Sequence, residues 1–164
     1  MRKVCLLLFP LVFSLSVAAV GYAQDRMMRV VAADGSEHAL SAQEWAGLPR
    51  ITIQAVDHDG KDAKFEGVAA RDVLKLVNAP LGKDMRGKNL ATYVVAEAID
   101  GYRVVYALTE FDTDFTDRVI LIADRRDGQA LGTKEGPLRI VVPGEKRPAR
   151  WIRELVSISV KRVP

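Results

Sequence analysis

The chain has few of the residues that bind metals or form disulfides. Its 164 residues include one cysteine, Cys5, and two histidines, His38 and His58. A structural zinc site normally needs four Cys or His ligands, so a site of that kind is excluded. A single cysteine cannot form an intramolecular disulfide, so folding has to depend on the burial of a core.

Strong charge of one sign is also lacking. The 24 Lys and Arg residues and 21 Asp and Glu residues leave a formal net charge of +3. This balance gives no electrostatic reason to expect a nucleic-acid partner. Hydrophobic residues make up 49% of the chain, which excludes intrinsic disorder, and the length fits one domain.

The N-terminus has the pattern of a secretory signal peptide. Arg2 and Lys3 precede an uncharged apolar run over residues 4–20, and the small residues Gly21 and Ala23 follow. The pattern predicts cleavage after residue 23, a single mature domain over 24–164, and a periplasmic or secreted location. A retained anchor is the alternative, but the run is short for a spanning helix and contains Pro10. We therefore expect no membrane span and no cysteine in the mature chain.

The rest of the sequence predicts a strand-dominated domain with two short helices. Asp34-Gly35 and Asp100-Gly101 each separate two apolar segments, which indicates two hairpins. Ser41 and Glu44 have the spacing of a capping box, so a helix should begin there. Apolar residues at helical spacing over 68–77 predict the second helix.

Two groups of polar residues allow both a functional and a structural interpretation. His38 and His58 could be ligands or general bases, but each lies in or beside a turn, which favours solvated hairpin residues. The run 57–59, Asp-His-Asp, could attract a cation or could simply form a turn. Four acidic residues could hold calcium, yet their spacing favours an exposed acidic loop: Glu110, Asp112, Asp114 and Asp117.

The C-terminal third is basic, and Arg139 is its most unusual member. It lies inside the apolar segment 137–143, where a guanidinium has to face solvent, a buried carboxylate or an anionic ligand. The functional alternative is a phosphate-type anion held by Arg139 and Arg150.

The same segment carries a resemblance to a known family. Residues 135–144, Glu-Gly-Pro-Leu-Arg-Ile-Val-Val-Pro-Gly, followed by Arg150-Trp151-Ile152, resemble the molybdopterin-binding oxidoreductase domain of the sulfite oxidase family. Upstream segments fit in the same order: 65–68 with 72–74, the Asp100-Gly101-Tyr102 hairpin, the strand 119–123, and residues 127–131. The resemblance covers about residues 40–163 and implies an α+β fold with a mixed, partly rolled β-sheet and short helices.

This sequence also departs from the family pattern. Family enzymes bind molybdenum through a cysteine in the strand before the Gly-Val segment, and the corresponding residues 51–57 contain none. The long stretch that follows that cysteine shrinks to a hairpin around Gly60. A histidine that often precedes the glycine of the Gly-x-Pro-Leu-Arg motif is replaced by Glu135. No catalytic or metal-binding residue is therefore assigned, and resemblance and charge suggest five cofactor-binding candidates: Arg139, Arg150, Lys146, Arg147 and Tyr102.

Two functions are in competition. The loss of the thiolate favours an exported, non-catalytic module that binds a small anion, a pterin-like molecule or a periplasmic protein partner and has no bound cofactor. The retained basic strand and loop favour a minimal molybdopterin-dependent oxidoreductase instead. A purely structural role is the third alternative.

For the core, the apolar segments predict that Trp151, Val141 and Leu121 are buried together.

Overall fold

A computed structural model describes residues 26–163. The predicted signal peptide lies outside this range. The described chain forms ten strands and two α-helices, with short 3-10 turns in the connections. In chain order they are β1 (Arg26–Val31), β2 (Glu37–Ser41), α1 (Ala42–Gly47), β3 (Arg50–Val56), β4 (Asp62–Ala69), α2 (Ala70–Lys75), β5 (Thr92–Ala98), β6 (Arg103–Ala107), β7 (Leu121–Arg126), β8 (Gln129–Ala130), β9 (Arg139–Val141) and β10 (Leu155–Arg162).

The strands divide between two five-stranded sheets. The first has the order β2-β1-β10-β5-β6, and its neighbours are antiparallel except for the parallel pair β1 and β10. Along β5, buried and half-buried residues alternate strictly, because successive side chains point to opposite faces of a strand. The Asp34-Gly35 and Asp100-Gly101 turns join β1 to β2 and β5 to β6, so both predicted hairpins are confirmed.

The second sheet positions the polar residues considered below. Its order is β3-β4-β7-β8, and β9 pairs with β7 so that Arg139 lies opposite Ala123. All three residues of β9 are buried. Gly67 in β4 allows close approach of β7, because a Cβ at this position would lie 2.0 Å from the carbonyl oxygen of Ile122.

Local sequence signals account for the first helix. Ser41 caps α1: its hydroxyl accepts a hydrogen bond from the Glu44 amide, and the Glu44 carboxylate accepts one from the Ser41 amide. The predicted capping box is therefore confirmed. The second helix is shorter than the apolar spacing suggested and ends at Lys75.

One hydrophobic core connects the two sheets. Leu121, Val141 and Trp151 all belong to it, with exposed fractions of 0%, 0% and 5%, so the prediction that they are buried together is confirmed. Among residues 26–163, no helix combines the length and apolar character needed to cross a bilayer. The mixed sheets and short helices confirm the α+β class.

Candidate functional site

The second sheet encloses an ion pair between Asp57 and Arg139. Asp57 directly follows β3, its side chain is fully buried, and the Arg139 side chain is 1% exposed. The Arg139 Nη2 atom lies 3.0 Å from Asp57 Oδ1, and Nη1 lies 3.3 Å from Oδ2. This two-point contact matches the planar fork of a guanidinium to a carboxylate. Of the three alternatives for Arg139, the structure favours the buried carboxylate.

Two aromatic rings that pack against each other both lie next to the Arg139 guanidinium. Its central carbon lies 5.1 Å from the ring centre of Phe65 and 5.7 Å from that of Trp151. The two rings pack edge to face, with centres 6.0 Å apart. Cations are attracted to the faces of aromatic rings, so this environment stabilises the charge while excluding water. Arg139 Nε is enclosed and has no hydrogen-bond partner within the described chain.

Further charged groups surround the pair. Arg126 Nη1 lies 2.8 Å from Asp57 Oδ2, and Glu135 Oε1 lies 3.3 Å from Arg139 Nη1. His58 lies 3.0 Å from Asp57 Oδ1 through Nδ1, and Arg153 Nη2 contacts the His58 ring at 2.7 Å and 2.8 Å from its two nitrogens. The Asp-His-Asp run thus forms a turn, as the structural interpretation predicted.

The same cluster contains a set of residues that could in principle hold a metal. Within residues 26–163, the one group of three or more such side chains with converging ligand atoms is Asp57, His58 and Glu135, whose ligand atoms lie within 4.8 Å of one another. The guanidiniums of Arg126 and Arg139 already pair with these carboxylates. Their positive charge opposes a bound cation, so the cluster does not suit a metal ion.

The environment of Asp57 sets its protonation. Burial alone would raise the pKa of its carboxyl group, but hydrogen bonds from His58 and Arg139 outweigh burial and hold that pKa well below its usual range. Asp57 is therefore ionised at any pH near neutrality.

Arg150 is also paired with carboxylates. Its Nη1 and Nη2 atoms lie 3.1 Å and 3.0 Å from the two Glu110 oxygens, and its Nε donates to Glu145 Oε1 at 2.8 Å. The guanidinium also lies 4.7 Å from the ring centre of Tyr106. Hydrogen bonds from Arg150 to Glu110 and Glu145 raise the pKa of the guanidinium above its ordinary value. Arg150 therefore links the loop before Trp151 to the segment that contains Glu110.

The remaining candidates, Tyr102, Lys146 and Arg147, are exposed. Tyr102 is 51% exposed, and its hydroxyl donates to the Ala149 carbonyl oxygen at 2.9 Å. This bond joins the β5-β6 turn to the basic loop that contains Lys146 and Arg147. Neither of these two cations lies within 4.0 Å of a carboxylate oxygen of residues 26–163. The structure therefore places Tyr102 next to the basic loop, whereas Arg139 is buried against Asp57.

A cleft of about 330 Å³ lies beside Tyr102 and is lined by the β5-β6 turn and the segments around Lys134 and Trp151. Lys134 and Arg153 supply its positive charges, and neither forms an ion pair with a carboxylate of the described residues. Asp100 and Glu154 are the acidic groups of its wall. The cleft thus combines a phenol ring with two cations, and its volume is in the lower part of the range for small-molecule sites.

The other polar candidates have structural roles. His38 Nε2 lies 3.2 Å from Glu44 Oε1, beside the cap of α1. The acidic segment is only partly the exposed loop that the sequence predicted. Asp112 is buried, and hydrogen bonds from the amides of Gly82 and Asp114 to its carboxylate offset the cost of burial.

Sequence reasoning did not identify Lys134 or Arg153 as site residues, and it considered Asp57 only as part of a possible cation site or a turn. The first two were visible as part of the basic C-terminal third, but nothing in the spacing placed them beside Tyr102. For Asp57, the signal was an alternating strand followed directly by an acidic residue. That signal gives the position of Asp57 in the chain but not its partner Arg139, which lies 82 positions later.

Comparisons with known proteins agree with this architecture. The family model described as "Oxidoreductase molybdopterin binding domain" matches residues 41–164. The sulfane dehydrogenase SoxCD from Paracoccus pantotrophus has a similar solved structure, with a TM-score of 0.64 and 15% sequence identity. The match covers 84% of this chain and 38% of the SoxCD chain. A search of curated protein sequences returns no match.

Proposed function

The chain belongs to the oxidoreductase molybdopterin-binding domain family, and we propose that it is a non-catalytic member that binds a small anionic ligand in the cleft beside Tyr102. The observation that carries the proposal is an internal ion pair at the end of a strand that contains no cysteine. By the family resemblance, the strand before the Gly-Val segment should supply a cysteine. That strand is β3, and it leads into Asp57, which is bound to Arg139.

The residues present do not fit a molybdenum cofactor anchored by the protein. The sequence contains no cysteine after Cys5, so no thiolate of the domain can bind the metal. Arg139 and Arg150, the cations that the resemblance suggests for a pterin phosphate, both pair with carboxylates. A phosphate would have to compete with those carboxylates for each guanidinium. This disagreement between family and residues supports the non-catalytic proposal.

The cleft has the chemistry for a small, flat anion. Lys134 and Arg153 provide positive charge that no carboxylate of the described chain neutralises by direct contact. Tyr102 offers an exposed ring on which a planar ligand could stack. A charge-assisted hydrogen bond contributes roughly 1.5–3 kcal/mol, so two of them with one stacked ring support micromolar to millimolar affinity. Such a ligand is exchanged rather than permanently retained, as expected of a binding module.

The proposal includes the location and the partners. The signal pattern over residues 2–23 supports export to the periplasm or beyond. The ligand would then be an anion of that compartment, with a periplasmic protein partner as the alternative occupant of the same face. Near-neutral net charge supports neither nucleic-acid nor bulk electrostatic binding.

Titration calorimetry on the chain beginning at Gln24 tests the binding proposal. The two probes are inorganic phosphate and pterin-6-carboxylate, which separate a requirement for charge from a requirement for a planar ring. We expect saturable binding of at least one probe. The double variant Lys134→Ala/Arg153→Ala should weaken binding at least tenfold, since it removes both cations of the cleft.

The matched control is Arg26→Ala/Lys88→Ala, which removes two exposed cations that do not line the cleft. It should bind both probes with wild-type affinity. Equal losses in the two double variants would show a nonspecific charge effect, and no binding of either probe by the wild type would refute the anion proposal. Binding that resists both double variants would place the site elsewhere.

A further inference from the structure

We propose that Asp57 is the resident anion of a buried anion site centred on Arg139, so that this site is complete without any dissolved ligand. The inference rests on the same Asp57–Arg139 pair as the proposed function, but its test does not depend on ligand binding in the cleft beside Tyr102. It gives Arg139 of the Gly136-Pro137-Leu138-Arg139 segment a structural partner in a chain without the metal-binding cysteine.

Arg139 needs an anion because of where it lies. The whole residue is 1% exposed, and its guanidinium lies against the rings of both Phe65 and Trp151. An unpaired charge in such a place is strongly unfavourable, and removing one partner of a buried pair typically costs several kcal/mol. The position is therefore compatible with the folded state only when a negative group is in contact with Arg139.

Asp57 is held in the position that such an anion would take. Its backbone amide donates to the Lys61 carbonyl oxygen at 2.8 Å, and its own carbonyl oxygen accepts from the Gly60 amide at 2.9 Å. The tight turn thus fixes the backbone from which the carboxylate projects. A tethered anion has a high effective concentration at its cation, so a dissolved phosphate or carboxylate competes poorly with it.

Carboxylates of the described chain already contact the cations around the pair. Arg126 and Arg139 contact four of them: Asp57, Asp59, Asp127 and Glu135. A further anion beside the buried Arg139 side chain would be repelled by these negative charges, which is unfavourable. The unused Arg139 Nε is enclosed, so it offers no accessible donor to a dissolved ligand.

The inference predicts that shortening Asp57 creates a site for a small carboxylate. Asp57→Ala removes the carboxylate and leaves space beside Arg139, and formate has the size and charge of the missing group. The melting temperature of this variant should rise with formate relative to chloride at equal ionic strength. At about ten times the dissociation constant of formate, the rise should be roughly 3–6 °C.

Three control proteins make the test specific. The wild type should show no formate-dependent rise, because Asp57 occupies the site. Asp57→Asn should show none either, since its amide fills the same volume. The double variant Asp57→Ala/Arg139→Met removes both charges, should fold, and should not respond to formate.

Several results would overturn the inference. One is an equal response to formate in the wild type and in Asp57→Ala. Another is a response that persists in the double variant. If Asp57→Ala does not fold in chloride, refolding in formate should recover folded protein, and failure to recover it while the double variant folds would also contradict the inference.

Discussion

Replacing Trp151 by alanine should destabilise the domain more than most single substitutions, because this side chain joins three interactions of the core. It is 5% exposed, its indole Nε1 donates to the Val142 carbonyl oxygen at 3.1 Å, and its ring packs edge to face with Phe65. It also forms one wall of the Arg139 environment, at 5.7 Å from the guanidinium.

The magnitude follows from these contacts. Truncation of a buried tryptophan to alanine usually costs about 3–5 kcal/mol in transfer and cavity terms. The aromatic pair accounts for roughly 0.5–1.5 kcal/mol and the hydrogen bond for about 1 kcal/mol of interactions lost at the same time. We therefore expect the upper half of the 3–5 kcal/mol range. Trp151→Phe keeps most of the apolar volume and should cost about 1–2 kcal/mol.

Urea unfolding followed by circular dichroism measures these losses. Phe115→Ala is the matched control, because it also truncates an aromatic ring but one that is 51% exposed. It should change the free energy of unfolding by less than about 0.5 kcal/mol. A loss of under about 1 kcal/mol for Trp151→Ala, or equal losses for Trp151→Ala and Phe115→Ala, would show that the core is not organised around Trp151.

Two further predictions concern the second sheet. The folded state holds the pKa of Asp57 below its unfolded value, so the stability from this group is present above about pH 4 and is lost as the pH falls further. Asp57→Asn should therefore reduce the loss of unfolding free energy on acidification, and an unchanged pH dependence would contradict the pairing. Gly67→Ala should prevent or severely weaken folding, because the new methyl group would meet the Ile122 carbonyl at 2.0 Å, and a melting temperature within a few degrees of the wild type would show that β4 and β7 are farther apart.

Local features of the fold could be predicted because their causes are local in the sequence. The Ser41 and Glu44 capping box needs only a spacing of three residues, and the two hairpins need only a turn residue pair between apolar segments. The α+β architecture came from the ordered family segments rather than from any single pattern. Their order constrains which strands can pair even where each segment is short.

The site was less predictable because its contacts are distant in sequence. Arg139 was recognised as an unusual residue, but the sequence left solvent, a carboxylate and a ligand as alternatives. The partner Asp57 lies 82 positions away and is brought to Arg139 by pairing among β3, β4, β7 and β9. The burial of Asp112 was unpredictable for the same reason. Its sequence neighbours indicate an exposed acidic loop, but its hydrogen-bond donor, the Gly82 amide, is 30 positions away.

The molybdenum content of the purified protein tests the central claim most directly. The full chain should be expressed in a host that makes the molybdenum cofactor, and the exported protein analysed for metal and for pterin fluorescence after oxidation. We predict no stoichiometric molybdenum or pterin, since no thiolate follows Cys5 and Arg139 is bound to Asp57. About one molybdenum and one pterin per chain would contradict the account and favour the minimal molybdopterin-dependent oxidoreductase.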